Sequence, residues 1–292
     1  MDYRHDTVLR EESVAVFSPL HLNCFLDGTL GGGGFSEALL LAADDNLQLV
    51  GLDVDPAAIE AASVRLAQFA KRTTLLRRSY VEVAEVLREL GIEAVDGMLL
   101  DIGMSSPLLE GDRGFSYRKD GPLDMRMDPE SPVTAKALLA VYSEQQLARI
   151  FWHFGDIRGS RNLAHAVKMA VRANRLETTT DLVNVVKESF PNAGSKLLAR
   201  TFQALRIAVN SELDNLEAFL AAAPQCLAVG GRLAVISFHS LEDRIVKHTF
   251  RTLAKEGPFK LGCRRPIGPG ETEVAANPRS RSAKLRWIER VE

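Results

Sequence analysis

The sequence predicts an α/β fold: a doubly wound, mostly parallel sheet carrying an inserted all-helical domain. Three observations predict it. Short, nearly continuous apolar runs alternate with helical patterns over the first hundred residues, as strands covered on both faces must. A loop with five glycines in seven residues joins the first such run to the first helix of the alternation. From residue 134 to about 220 the pattern is helical throughout, and strands return only afterwards.

In chain order, "NCFLD" reads as the first strand and "GFSEALLLAA" as its helix. "LQLVGLD" is the second strand, followed by "PAAIEAASVRLAQFA" with Pro56 placed at a helix start. "TTLLRR", the helix "VEVAEVLREL" and the strand "VDGMLLD" follow. The stretch 104–132 is rich in loop residues and opens the helical segment. "GGRLAVISF" restores a buried strand, "SLEDRIVKHTFRTLA" is its helix, and "AKLRWIERV" closes the chain as an alternating strand. These boundaries give a sheet domain over 1–105 and 206–292 and a helical insertion over 106–205. The insertion leaves from the carboxyl end of the fourth strand, where open α/β sheets bind ligands.

Composition narrows the class of function. With 292 residues, 46% of them hydrophobic and 25% charged, the chain is an ordinary globular protein large enough to bury a real core. Lys plus Arg number 36 against 38 Asp plus Glu, a net charge of −2, so a nucleic-acid partner must be met by local basic patches. Cys24, Cys226 and Cys263 lie far apart with no C-x-x-C pair, which argues against a zinc cluster or disulfide framework and suits a reducing cytoplasm. No apolar run approaches the ~18 residues of a membrane span, and "MDYRHDTVLREES" is not a signal peptide. The expectation is a cytoplasmic protein with no membrane partner and no metal site; a homodimer is left open.

The stretch "FLDGTLGGGGFSEALL" carries the strongest chemical signal. Asp27 ends the first strand, the glycines fill the turn, and Asp53 ends the second strand, close to the ~20 residues at which a strand-end acid meets a ribose hydroxyl. A Walker A loop would need G-K-[ST], and there is no lysine here. A dinucleotide fingerprint on Gly31 and Gly33 would need a third glycine where Ser36 stands. S-adenosylmethionine fits better. Its ammonium favours an acid beside the loop, which Asp27 supplies, while Gly31, Gly33 and Gly34 let backbone approach the methionine arm and ribose. The competing reading is that the glycines only allow a tight turn and the acids only cap helices.

Four stretches together, "DGTLGGGG", "LLDIGMSSPLLEGDRGFSYRKDGPLDMRMD", "ARTFQALRIAVNSELDNLEAFL" and "GGRLAVISFHSLEDRIVKHTF" with "NPRSRSAKLR", closely resemble the bacterial 16S ribosomal RNA (cytosine-N4)-methyltransferase family, sometimes called MraW. The resemblance runs from His5 to about Arg290. It implies a class I, Rossmann-like S-adenosylmethionine-dependent methyltransferase with a helical substrate-recognition insertion. It further implies methyl transfer to the exocyclic amine of a decoding-centre cytosine in 16S rRNA of the small ribosomal subunit. The cofactor site it implies comprises Gly33, Gly34, Phe35, Asp53, Tyr80, Asp101 and Leu108. Tyr80 stands where the family usually has Phe, Phe35 where it has His, and Leu108 where it has Gln. The last two replacements each remove a polar side chain, about 0.5–1.5 kcal/mol of net hydrogen bonding if that side chain touched the cofactor. "SKLLARTFQ" departs from the usual His-Pro-Ala-Thr-Arg-Thr-Phe-Gln. These departures leave a second reading, a non-catalytic RNA-binding or ribosome-assembly factor of the same fold.

For the chemistry, an amine whose lone pair is delocalised into a ring needs acceptors on its hydrogens and a base as transfer proceeds. Asp101 is the first candidate beside the methyl group, with Ser105 and Ser106 as acceptors on the base; holding the cofactor alone is the other role open to Asp101. His239 could orient or deprotonate the amine. Ser240 and Asp243 fit a capping box for the following helix, and Glu242 reads as a solvated first-turn acid. Phosphate contacts are expected from Arg279, Arg281, Lys284 and Arg286, from Lys260, Arg264 and Arg265, and from Arg113, Arg118, Lys119 and Arg126 beside Phe115 and Tyr117. Phe151, Trp152 and Phe154 read as core of the insertion.

Overall fold

The computed structural model describes residues 7–292, with the backbone alone at Ser106; His5 lies outside the described residues. The order is α1 (Arg10–Phe17), β1 (Cys24–Asp27), α2 (Gly34–Ala42), β2 (Gln48–Asp53), α3 (Pro56–Arg65), β3 (Thr73–Arg77), α4 (Val83–Glu89) and β4 (Val95–Asp101). Then come α5 (Ser106–Glu110), α6 (Ala135–Val141), α7 (Glu144–His153), α8 (Ser160–Arg172), α9 (Thr179–Ser189), α10 (Ser195–Asn210) and α11 (Glu212–Ala222). The chain ends with β5 (Leu227–Ser237), α12 (Ser240–Glu256), β6 (Phe259–Leu261), α13 (Glu271–Ala276) and β7 (Lys284–Arg290).

The chain divides into two compact units, one made of the described residues through Gly103 with Asp214–Glu292, the other Met104–Leu213. The second junction falls at Leu213/Asp214, beyond the expected 205/206, and α10 runs unbroken to Asn210.

In the first unit the strands form one sheet in the order β3-β2-β1-β4-β5-β7-β6. The first five are parallel, and β7 runs antiparallel to both β5 and β6. Apolar side chains leave both faces, as the continuous strand runs require. Phe25, Leu49 and Leu99 pack on one face with Phe17, Phe35 and Leu39 from α1 and α2. Leu26, Val50, Met98 and Val235 pack on the other with Val86, Phe219, Val246 and Phe250. The strand order reverses between β1 and β4, which opens a crevice at their carboxyl ends.

The second unit has its own core, in which Phe151, Leu163, Val186 and Leu205 are fully buried. Its helices start where the sequence supplies caps: Thr134 before α6, and the reciprocal pairs Ser143–Gln146 before α7 and Thr178–Asp181 before α9. Phe151 and Phe154 belong to this core, whereas Trp152, expected there, points outward at 51% exposure. It occupies the solvent side of α7, one residue on from Phe151. Among the described residues no helix is long and apolar enough to cross a membrane.

Candidate active site

Three strand-end carboxylates gather where the sheet order reverses. Asp27 ends β1, Asp53 ends the neighbouring β2, and Asp101 ends β4. Asp27 is 1% exposed; Ser36 Oγ donates to its Oδ2 at 2.6 Å and the Thr29 N–H to its Oδ1 at 3.2 Å. Asp53 accepts from the Gly31 N–H at 2.9 Å and the Asp55 N–H at 2.9 Å. Asp101 Oδ1 accepts from the Gly103 N–H at 3.1 Å, and the Asp101 N–H donates to Thr29 Oγ1 at 2.6 Å. Thr29 thus ties the ends of β1 and β4 together.

Among the described residues none of the three acids has a cationic partner, and burial disfavours their charged forms. Asp27 is pushed up to about 6 by desolvation, partly offset by the bonds from Ser36 and Thr29. Asp53 rises to about 6 for the same reason, against the bonds from Asp55 and Gly31. Asp101 rises to about 7, through desolvation first and then the charges of Asp27 and Glu242. Asp53 and Asp101 keep partial solvent access, whereas Asp27 is enclosed.

The loop between Asp27 and α2 supplies the opposite polarity. Gly33 caps α2 at φ 74°, a left-handed conformation that a side chain would strain. It brings no side chain to the orphan N–H groups of the first turn, at Gly34, Phe35 and Ser36, and these favour an anion. Carboxylates without counter-cations beside a helix N-terminus fit a ligand that carries a carboxylate and two positive centres. S-adenosylmethionine has that charge pattern: one carboxylate, an ammonium and a sulfonium.

The other candidate side chains lie as follows in their own units. The Phe35 side chain is buried, its ring centroid 5.7 Å from Phe25 and 6.3 Å from Phe17, so only its backbone N–H is offered to the loop. Leu108 is in the core of the helical unit, and Ser105 caps α5 by accepting from the Leu108 N–H at 3.4 Å. The Ser106 side chain lies outside the described residues. Tyr80 meets Phe219 edge-on at 5.6 Å.

The start of α12 is framed one residue earlier than expected. His239 is the N-cap: its Nδ1 accepts from the Glu242 N–H at 3.3 Å, while Glu242 Oε2 accepts from the Phe238 and His239 N–H groups at 2.7 and 3.1 Å. Glu242 is therefore buried, at 2% exposure, and not solvated. His239 Nε2 is buried 2.8 Å from Glu242 Oε1 and has no aligned hydrogen-bond partner among the described residues.

Asp243, released from the capping role, pairs with Arg286 at 2.7 Å and Lys284 at 3.0 Å. Several other expected phosphate contacts are likewise engaged within the protein. Arg126 forks onto Asp124 at 2.7 and 2.8 Å and also bonds the Pro129 and Ser131 carbonyls. Arg113 holds the Met127 carbonyl, Lys119 pairs with Asp112, and Lys260 with Glu289. Phe115 is core and Tyr117 packs on Phe202, so neither is a free stacking platform. Sequence reasoning missed Thr29, Ser36 and Glu242. Only Thr29 left a local signal, the Asx-type turn of Asp-Gly-Thr.

Comparison with known proteins adds independent information. The MraW methylase family matches residues 2–291. A protein of Heliobacterium mobile called ribosomal RNA small subunit methyltransferase H is 44% identical over 312 residues, with 100% of both chains covered. A Citrifermentans bemidjiense protein of the same name is 45% identical, with 99% of each chain covered. A solved structure from Clostridium thermocellum, described as a candidate rRNA methylase, superposes with a TM-score of 0.51 at 11% identity, covering 98% of this chain and 99% of its own. At that identity the superposition speaks to the fold.

Proposed function

The chain belongs to the MraW methylase family, and from that premise we propose that it methylates the N4 amine of a decoding-centre cytosine in 16S rRNA. At the coarser level it is an S-adenosylmethionine-dependent rRNA methyltransferase of class I fold. The observation that carries the finer reading is the state of Asp101. It is a half-buried carboxylate raised to about 7, with Oδ2 free of donors among the described residues, at the reversal point of the sheet.

S-adenosylmethionine supplies an electrophilic methyl group on sulfur. Asp27 and the α2 N-terminus would hold its amino-acid arm, Asp53 its ribose hydroxyls and the Tyr80 ring its adenine. Asp101 would accept a hydrogen bond from the cytosine amine, turning the lone pair out of conjugation, and take the proton as the methyl is transferred. A carboxylate poised near neutrality suits that task. His239, at the carboxyl end of β5, would act as a positioning residue for the base.

The test is transfer of labelled methyl to small ribosomal subunits lacking the modification, with nucleoside mass spectrometry of the product. N4-methylcytidine in 16S rRNA is the expected product; methyl on carbon or on another base would sink the proposal. Asp101→Asn should lower kcat by about 10²–10⁴, the range for a general base. A folded chain that binds 16S rRNA yet transfers no methyl, alongside an active relative, would favour the assembly-factor reading.

A further inference from the structure

With so many expected cations tied to the protein's own acids and carbonyls, the ones left unpaired mark a different surface. A shallow cleft lies on the first unit between α12 and the β6–β7 edge of the sheet. It is lined by Phe250, Leu261, Cys263 and Trp287 and by the cations Lys247, Arg251 and Arg264. Arg286 also lines it, already held by Asp243. Among the described residues, neither an ion pair nor a hydrogen bond engages the side chains of Lys247, Arg251 or Arg264, and no carboxylate lines the cleft. Arg251 and Arg264 are exposed.

The cleft is built rather than accidental. Gly262 lies flat on Trp287, so close that an added Cβ would sit 2.0 Å from the indole ring. Only glycine permits that approach. Arg232 stacks on the same indole at 4.5 Å, and Glu289 anchors Arg232 at 2.9 Å. Lys247 and Arg251, four residues apart on one face of α12, stand about 6 Å from each other along its edge. Arg264 faces the same hollow from the far side of β6.

We infer that this cleft binds the sugar–phosphate backbone of the substrate RNA outside the target nucleotide. The inference rests on the rRNA reading above and names the surface it uses. An uncompensated row of cations without a single carboxylate is complementary to a polyanion, and backbone contacts of this kind fix register without reading sequence. α12 starts at the carboxyl end of β5, and Lys247 and Arg251 lie about 10 and 16 Å along its axis from Ser240. RNA entering the crevice can run along this helix.

The experiment measures binding of 16S rRNA transcript as a function of salt for the wild-type chain and for Lys247→Ala/Arg251→Ala/Arg264→Ala. Losing three single-strand phosphate contacts should reduce the slope of log K against log salt by about 2 and weaken binding on the order of 50-fold at about 0.15 M salt. Calorimetric S-adenosylmethionine binding and thermal melting should stay at wild-type values, as should RNA binding by Lys255→Ala on the same helix. A wild-type slope in the triple variant, with the wild-type chain methylating its RNA, overturns the cleft and leaves the function standing. Wild-type RNA binding that the triple variant loses, without methyl transfer by either chain, overturns the function and supports the cleft. Competition by polyaspartate as effective as by RNA would reassign the cleft to an acidic protein partner and overturn the inference.

Discussion

Phe35 is expected from the sequence to touch the cofactor, yet its ring fills an apolar niche between Phe17 and Phe25. The side chain points into the sheet core, and the N–H is what this residue offers the loop. Two outcomes follow from burial. Phe35→Ala should destabilise the protein by about 3–5 kcal/mol, as large-to-small changes of a buried aromatic do. Phe35→His should lower stability by about 1–3 kcal/mol, since the imidazole would have to find a partner among phenyl rings. It should leave S-adenosylmethionine affinity unchanged once the folded fraction is allowed for. Denaturant melts and calorimetry on the two variants check both, and a tighter cofactor complex in Phe35→His would refute the placement. Leu108 follows the same logic in the other core.

At the scale of elements, the start of α12 is where the capping network meets the chemistry. Glu242 Oε2 accepts from two backbone N–H groups, and the charge of Glu242 also helps raise Asp101. Glu242→Ala should therefore cost about 1–3 kcal/mol of stability for the buried donors it strands. Glu242→Gln can keep that acceptor while removing the charge, so Asp101 should ionise at lower pH. The acid limb of the kcat profile should then move down, and an unmoved limb would show that Asp101 is not the group being titrated. "SFHSLEDR" contains two overlapping frames, Ser240-x-x-Asp243 and His239-x-x-Glu242, and nothing local chooses between them. The choice is made by β7, which presents Lys284 and Arg286 to Asp243 and leaves Glu242 to turn inward. The strands themselves were legible, because a strand buried on both faces must be a continuous apolar run. Strand ends were legible for the same reason, and with them Asp27, Asp53 and Asp101. The fates of the cations were not. An arginine such as Arg126 reads the same in sequence whether it awaits a phosphate or clamps Asp124 and two carbonyls, since only the folded path of the loop decides.

Over the whole molecule, the three acids make stability and cofactor binding depend on pH in opposite senses. Asp27, Asp53 and Asp101 all have folded-state values raised above the ordinary aspartate value of 3.8, to about 6, 6 and 7. The ligand-free folded state therefore holds more protons than the unfolded chain between roughly pH 4 and pH 7. Their contribution to stability is fully present below the unfolded value and is lost as pH rises through 6 to 7, so the ligand-free protein should melt at a higher temperature near pH 5.5 than near pH 8 as far as these groups decide it. S-adenosylmethionine brings positive centres to the same carboxylates and favours their ionised forms. Its affinity should fall as pH drops from about 8 to about 5.5, with protons released on binding near pH 6.5. Titrations in two buffers of different ionisation heat count those protons directly. Asp101→Asn should shrink the count and flatten both pH dependences, because it removes the most elevated of the three groups. Affinity that is flat across this range in the wild-type chain would mean that the carboxylates are already ionised without the ligand. The crevice would then owe its affinity to the α2 N-terminus rather than to the charges that the fold has set at the ends of β1, β2 and β4.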